Sequence, residues 1–222
     1  MKETKNFNEI FKILKKELKN YRTPILSRQK WEKIKKTPFT TLISCLLSLR
    51  TKDNVTDKAS LKLFEKYDTP EKLADAKIKD IELLIFPVGF YHTKAKRIKE
   101  ISQTLLEKYS GKVPNDFNEL LKLKGVGRKT ANIVMTYGFN KKKFLPIDTH
   151  CNRIPNRIGW IKTKTPEETE QKLKKILPQK YWYDFNNLFV QFGQKICLPV
   201  SPFCSKCPIN NYCKKIGVKT NR

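Results

Sequence analysis

Apolar residues recur at helical spacing in nearly every segment of this chain, and no run alternates as a half-buried strand would. That periodicity restricts the fold to an all-α architecture of about ten short helices. The stretch "FNEIFKILKKELKNY" puts Phe7, Ile10, Phe11, Leu14, Leu18 and Tyr21 on one face, as an amphipathic helix does. "PFTTLISCLLSLRT" opens on Pro38 and is almost wholly apolar, which suits a central buried helix. Helix starts are marked as well. "TPEKL" and "TPEETEQKLKKIL" place Thr before Pro with acidic residues in the first turn, and Asp116 stands three before Glu119 in "NDFNELLKL".

The segment "NELLKLKGVGRKTANIV" reads as helix, tight turn, helix. Gly125 and Gly127 permit positive φ and close backbone approach, and the free N–H groups of the second helix make an anion site. A P-loop does not fit, because no strand precedes the turn and the lysine does not directly follow a glycine. A helix-hairpin-helix holding a DNA phosphate and an ordinary capped corner both fit. On a helical wheel Val126, Ile133, Val134 and Tyr137 form an apolar stripe, Arg128 faces solvent, and Lys129 lies at the stripe's edge. Partial desolvation and the positive end of the helix dipole are expected to push the Lys129 pKa down, as a nucleophile needs. The alternative is a lysine that grips phosphate. Asp148, in "LPIDTH", is an N-cap for the next helix or a carboxylate that stabilises cationic charge, and the two roles are compatible. His150 is a DNA contact or a packing residue.

Lys and Arg outnumber Asp and Glu by 47 to 21, a formal net charge of +26. A field of that size suits a polyanion, nucleic acid before an acidic membrane. The charge is spread over many helices, and no apolar run reaches the ~20 residues of a membrane span. Glu3, Glu9 and Glu17 argue against a transit peptide, so a cytoplasmic, nucleoid-associated protein is expected.

Cys197, Cys204, Cys207 and Cys213 follow the spacing C-x6-C-x2-C-x5-C. Four cysteines this close in a cytosolic chain indicate a metal site. Zinc sites usually bring two close cysteine pairs, and here one exists, so a [4Fe–4S] cluster fits the uneven gaps better than zinc. Cys45 and Cys151 sit in apolar or helical contexts and read as plain buried thiols.

Taken together, "LKGVGRKTAN", "DTHCNRIPNR", the cysteine spacing, "LLSLRTKD" and "GFYHTKA" resemble the endonuclease III family of helix-hairpin-helix DNA glycosylases, from about Pro38 to Cys213. The resemblance implies two helical domains. A six-helix barrel would span residues 31–141, and residues 1–30 with 142–222 would form the iron–sulfur domain. It implies a base-excision-repair glycosylase with abasic-site lyase activity, removing oxidised pyrimidines from duplex DNA with the damaged base flipped out. Lys129 would attack the sugar C1′ and form a Schiff base, and Asp148 would assist. The strand would then be cut 3′ to the abasic site by β-elimination. The four cysteines would hold a [4Fe–4S] cluster of chiefly structural role. Gly125, Val126, Gly127, Arg128, Thr130 and His150 would contact DNA, and Arg50 and Phe90 would fill the gap in the duplex.

The chain departs from the family pattern in three places. Lys124 stands where the hairpin usually has Pro, Arg50 replaces a usual Gln, and "LPVSPF" lacks the basic residues common there, with Lys206 a substitute. A monomer acting on double-stranded DNA is expected. The alternatives are a monofunctional thymine or adenine mismatch glycosylase, a branch that typically lacks the lysine, and a non-catalytic iron–sulfur DNA-binding protein.

Overall fold

The computed structural model describes residues 6–19 and 35–222. These residues form eleven α-helices, and among them there is no strand. The chain divides into two compact units, Met1–Pro24 with Leu145–Arg222, and Ile25–Phe144.

The continuous unit is built around α2 (Pro38–Ser48). Every residue from Phe39 to Leu47 is buried, as its apolar sequence requires. Thr37 and Thr40 cap its start reciprocally, Thr40 N–H donating to Thr37 Oγ1 (3.1 Å) and Thr37 N–H to Thr40 Oγ1 (2.9 Å). Around it run α3 (Asp53–Lys66), α4 (Pro70–Asp75), α5 (Ile78–Ile85), α6 (Tyr91–Tyr109), α7 (Phe117–Lys122) and α8 (Arg128–Ile133). The last helix widens into a π-turn over Val134–Gly138. The described part of this unit holds seven helices, among them the short ones in "TPEKL" and "IKDIELLI". Its C-terminal edge is Phe144. Phe144 stacks on Phe117 (5.8 Å), and its carbonyl accepts from Thr136 Oγ1, whereas Leu145 and Ile147 are buried in the other core.

The discontinuous unit packs α1 (Phe7–Glu17) with α9 (Thr149–Ile158), α10 (Pro166–Ile176) and α11 (Trp182–Lys195). The apolar face read from the sequence is the buried one: Ile10, Phe11, Leu14 and Leu18 are at most 3% exposed. Tyr21 lies outside the described residues. Phe11 joins an aromatic group, 4.3 Å from Tyr181 and 5.9 Å from Phe189 between ring centres. The expected starts hold. Thr69, Asp116 and Thr165 each accept a backbone N–H as N-caps. Glu119 does not complete a capping box; it accepts from Tyr109 Oη (3.0 Å) and Lys122 Nζ (2.6 Å) instead.

Phe11→Ala should lower the unfolding free energy by about 3–5 kcal/mol, the cost of emptying an aromatic site in a packed core. Urea titration measures it, and a loss below about 1 kcal/mol would mean that α1 is not packed there.

Candidate active site and metal centre

The hairpin forms as its glycines allow. After α7, Gly125 takes φ 83° and Val126 N–H donates to Leu123 O (3.0 Å), closing the turn. Gly127 is the N-cap of α8, and a side chain there would meet nothing within 4 Å, so the outside of the turn is open. The first backbone bond across the start of α8 is Ala131 N–H to Gly127 O (3.0 Å), which leaves earlier N–H groups outside the helix ladder. Val126 and Thr130 are buried.

The two basic residues exchange the positions expected of them. Lys129 is exposed, while Arg128 is half-buried with its guanidinium 5.2 Å over the Phe117 ring. The wheel reading took Lys129 as partly desolvated. It failed because Lys129 is the second residue of the helix, where no preceding turn exists to cover its side chain. The apolar stripe itself is buried as read, with Ile133, Val134 and Tyr137 at most 9% exposed.

Arg50 and Phe90 come together in the same unit. Both are exposed, Phe90 by 64%, so it is no core aromatic. Both take left-handed backbone conformations, φ 52° and 59°, and the Arg50 guanidinium lies 6.0 Å over the Phe90 ring. A cavity of about 380 Å³ beside them is lined by Leu46, Leu49, Lys94, Arg97 and Gly125 among others.

In the other unit Asp148 is the N-cap of α9, its Oδ1 accepting from Cys151 N–H (2.8 Å). His150 packs inward: its Nδ1 is 3.0 Å from Arg153 Nη2, and a side chain at Gly193 would collide with its ring. Cys45 and Cys151 are buried thiols, as expected, and burial pushes Cys45 up to about 12.

Cys197, Cys204, Cys207 and Cys213 line one small cavity with Ile154, Phe192 and Ile209, about 20 Å³ in volume and partly open to solvent. Burial pushes Cys207 up to about 11 and raises Cys213 also. Among the described residues no three His, Cys, Asp or Glu side chains meet as ligands of a single metal ion.

Two arginines of "NRIPNR", one helical turn apart on α9, grip the start of the cysteine segment, and the sequence reading assigned neither. Arg153 donates to Cys197 O (2.7 Å). Arg157, 8% exposed, donates to Leu198 O and Pro199 O (2.6 Å each) and approaches Cys197 Sγ (3.4 Å). Burial lowers the Arg153 pKa from its ordinary value. The i, i+4 spacing was the available signal. "LPVSPF" also acquires a basic residue from outside itself: Arg222 lies 4.2 Å over the Phe203 ring and donates to Ser201 O (3.2 Å). Lys206 is exposed.

Residues 43–179 match the model of the HhH-GPD superfamily base excision DNA repair protein. Endonuclease III of Thermotoga maritima is 56% identical over 80% of this chain and 83% of its own length. A trapped endonuclease III–DNA covalent intermediate superposes with a TM-score of 0.81 at 32% identity, covering 96% of each chain. A thermostable thymine-DNA glycosylase gives 0.79 at 26% identity, over 95% of this chain and 96% of the other. The helical hairpin, the cysteine-lined cavity and these likenesses agree, and the chain belongs to the endonuclease III family of HhH-GPD base excision DNA repair proteins.

Proposed function

We propose that this protein is a DNA glycosylase and abasic-site lyase, acting as a monomer on oxidised pyrimidines in the duplex DNA of the cytoplasmic nucleoid. One observation carries the lyase half. Lys129 stands exposed in the first turn of α8, beside an open hairpin, in a chain whose 96%-overlapping neighbour was captured covalently on DNA. Among the described residues no helix is long and apolar enough to cross a membrane.

In this mechanism the N–H groups of Gly125 and of Gly127 to Lys129 hold a phosphate, with Arg128 and the net charge of +26 adding attraction. The Lys129 amine attacks C1′ and the glycosidic bond breaks, its electrons leaving with the base, which takes up a proton. The sugar ring opens to the iminium. Loss of a C2′ proton then expels the 3′ phosphate, and water hydrolyses the imine to free the lysine. Asp148, fixed by its cap bond to Cys151 N–H, stabilises the cationic sugar and assists proton removal. Arg50 and Phe90 fill the space left by the flipped base.

The four cysteines are the residues that would hold a [4Fe–4S] cluster. They line one cavity together with apolar side chains, and cysteine thiolates are the donors that such a cluster takes. Arg157 donates toward Cys197 Sγ and would supply positive charge beside the cluster's thiolates. The cluster's contribution when bound is structural, fixing the loops between the cysteines. The division into a barrel domain and a cluster domain is part of the same proposal.

A monofunctional glycosylase is the second reading, favoured by the thymine-DNA glycosylase likeness. Borohydride separates the two. Wild-type protein should be trapped on abasic or thymine-glycol DNA, and Lys129→Ala should lose trapping while DNA affinity changes less than about threefold. Full trapping of that variant would reject the lysine; base release by wild type with no trapping would favour the second reading. Asn caps a helix as well as Asp does, so Asp148→Asn keeps the fold and should slow the reaction about 100-fold. Wild-type rates in that variant would reduce Asp148 to a cap. Purified protein should carry about four irons per chain and absorb broadly near 400 nm. Colourless protein with one zinc would overturn the cluster.

A further inference from the structure

Lys94 lies one turn into α6 and is 9% exposed, on the face shared by buried Ala95, Ile98 and Ile101. Its ammonium donates to Leu47 O (2.8 Å), Leu49 O (2.5 Å) and Thr51 Oγ1 (3.0 Å). All three of its protons are therefore used. Two of the acceptors are carbonyls at the end of α2, where the helix dipole is negative and no further turn supplies donors. Burial draws this lysine down to about 8, so at neutral pH it is still an ammonium.

The third acceptor reaches a second loop. Thr51 Oγ1 also accepts from Gly89 N–H (3.1 Å). The two backbones touch here: a Cβ at Gly89 would stand 2.8 Å from Arg50 O. Arg50 and Phe90 thus occupy neighbouring positions on two loops joined by one hydroxyl and one ammonium. Their left-handed backbones are unfavourable for residues with a Cβ and persist only where neighbours hold them.

We propose that Lys94 is a positioning residue that locks the loops carrying Arg50 and Phe90 into one rigid plug, so that the pair enters the duplex as a unit. This rests on the gap-filling role given to those two residues above. Lys94 touches no reacting atom. Its contribution is confined to opening a paired duplex, and it is small once the base is already missing.

The test compares one duplex bearing thymine glycol with the same duplex bearing a preformed abasic site, under single-turnover conditions. Lys94→Met keeps the length of the side chain and removes all three bonds. It should slow base release at least tenfold and abasic-site cleavage less than threefold. Gly89→Ala, which strikes the same junction with Lys94 intact, should give the same split. Equal loss of both activities would make Lys94 merely structural, and no loss of either would also overturn the assignment. A wild-type protein that cuts neither duplex would reject the glycosylase reading instead. The lock is then judged by amide exchange at Gly89, which Lys94→Met must accelerate at least tenfold; unchanged exchange overturns it.

Discussion

The burial of α2 on every side is the constraint from which the hairpin unit follows. Nine consecutive buried residues, Phe39–Leu47, leave that helix no solvent face, so its neighbours must cover it completely. Its start lies against the π-turn after α8, where a side chain on Gly138 would come within 3.0 Å of the Pro38 Cα. Its end delivers Leu49 and Arg50 to the surface. One rod thus sets the position of the helix that carries Lys129 and of the loop that carries Arg50. Deleting one large side chain from such a core costs about 2–5 kcal/mol, so α2 tolerates little change.

The discontinuous unit uses a different device. Its cysteine segment is irregular, with one short 3₁₀ stretch at Asn210–Tyr212 and local turn bonds such as Cys207 N–H to Cys204 O and Cys213 N–H to Asn210 O. Helix α9 anchors its start, through two arginines that bind carbonyls at Cys197, Leu198 and Pro199. The same helix begins at Asp148. The carboxylate assigned to the chemistry and the anchor of the cysteine loop are therefore two ends of one rigid element.

Much of this was legible in the sequence. Helix starts with Thr-Pro or Asp caps were readable because capping is a local interaction. The buried faces of α1 and α2 were readable because period 3.6 reports burial directly. The cysteine spacing and the glycines of the turn identified both candidate sites. The failures have a common cause in tertiary context. Lys129 and Arg128 were misplaced because a wheel treats the first helical turn as if it were the interior. Lys94 sits in a basic run, "HTKAKR", and nothing in its spacing tells that one lysine of the run is buried against the end of α2. Arg222 on Phe203 joins segments that only the folded chain brings together.

The proposed chemistry turns on one covalent bond, from the amine of Lys129 to the sugar. Mass spectrometry of the borohydride-reduced adduct, after proteolysis and nuclease digestion, locates that bond. A single modified peptide with the sugar remnant on Lys129 is expected. A remnant on any other lysine would contradict it.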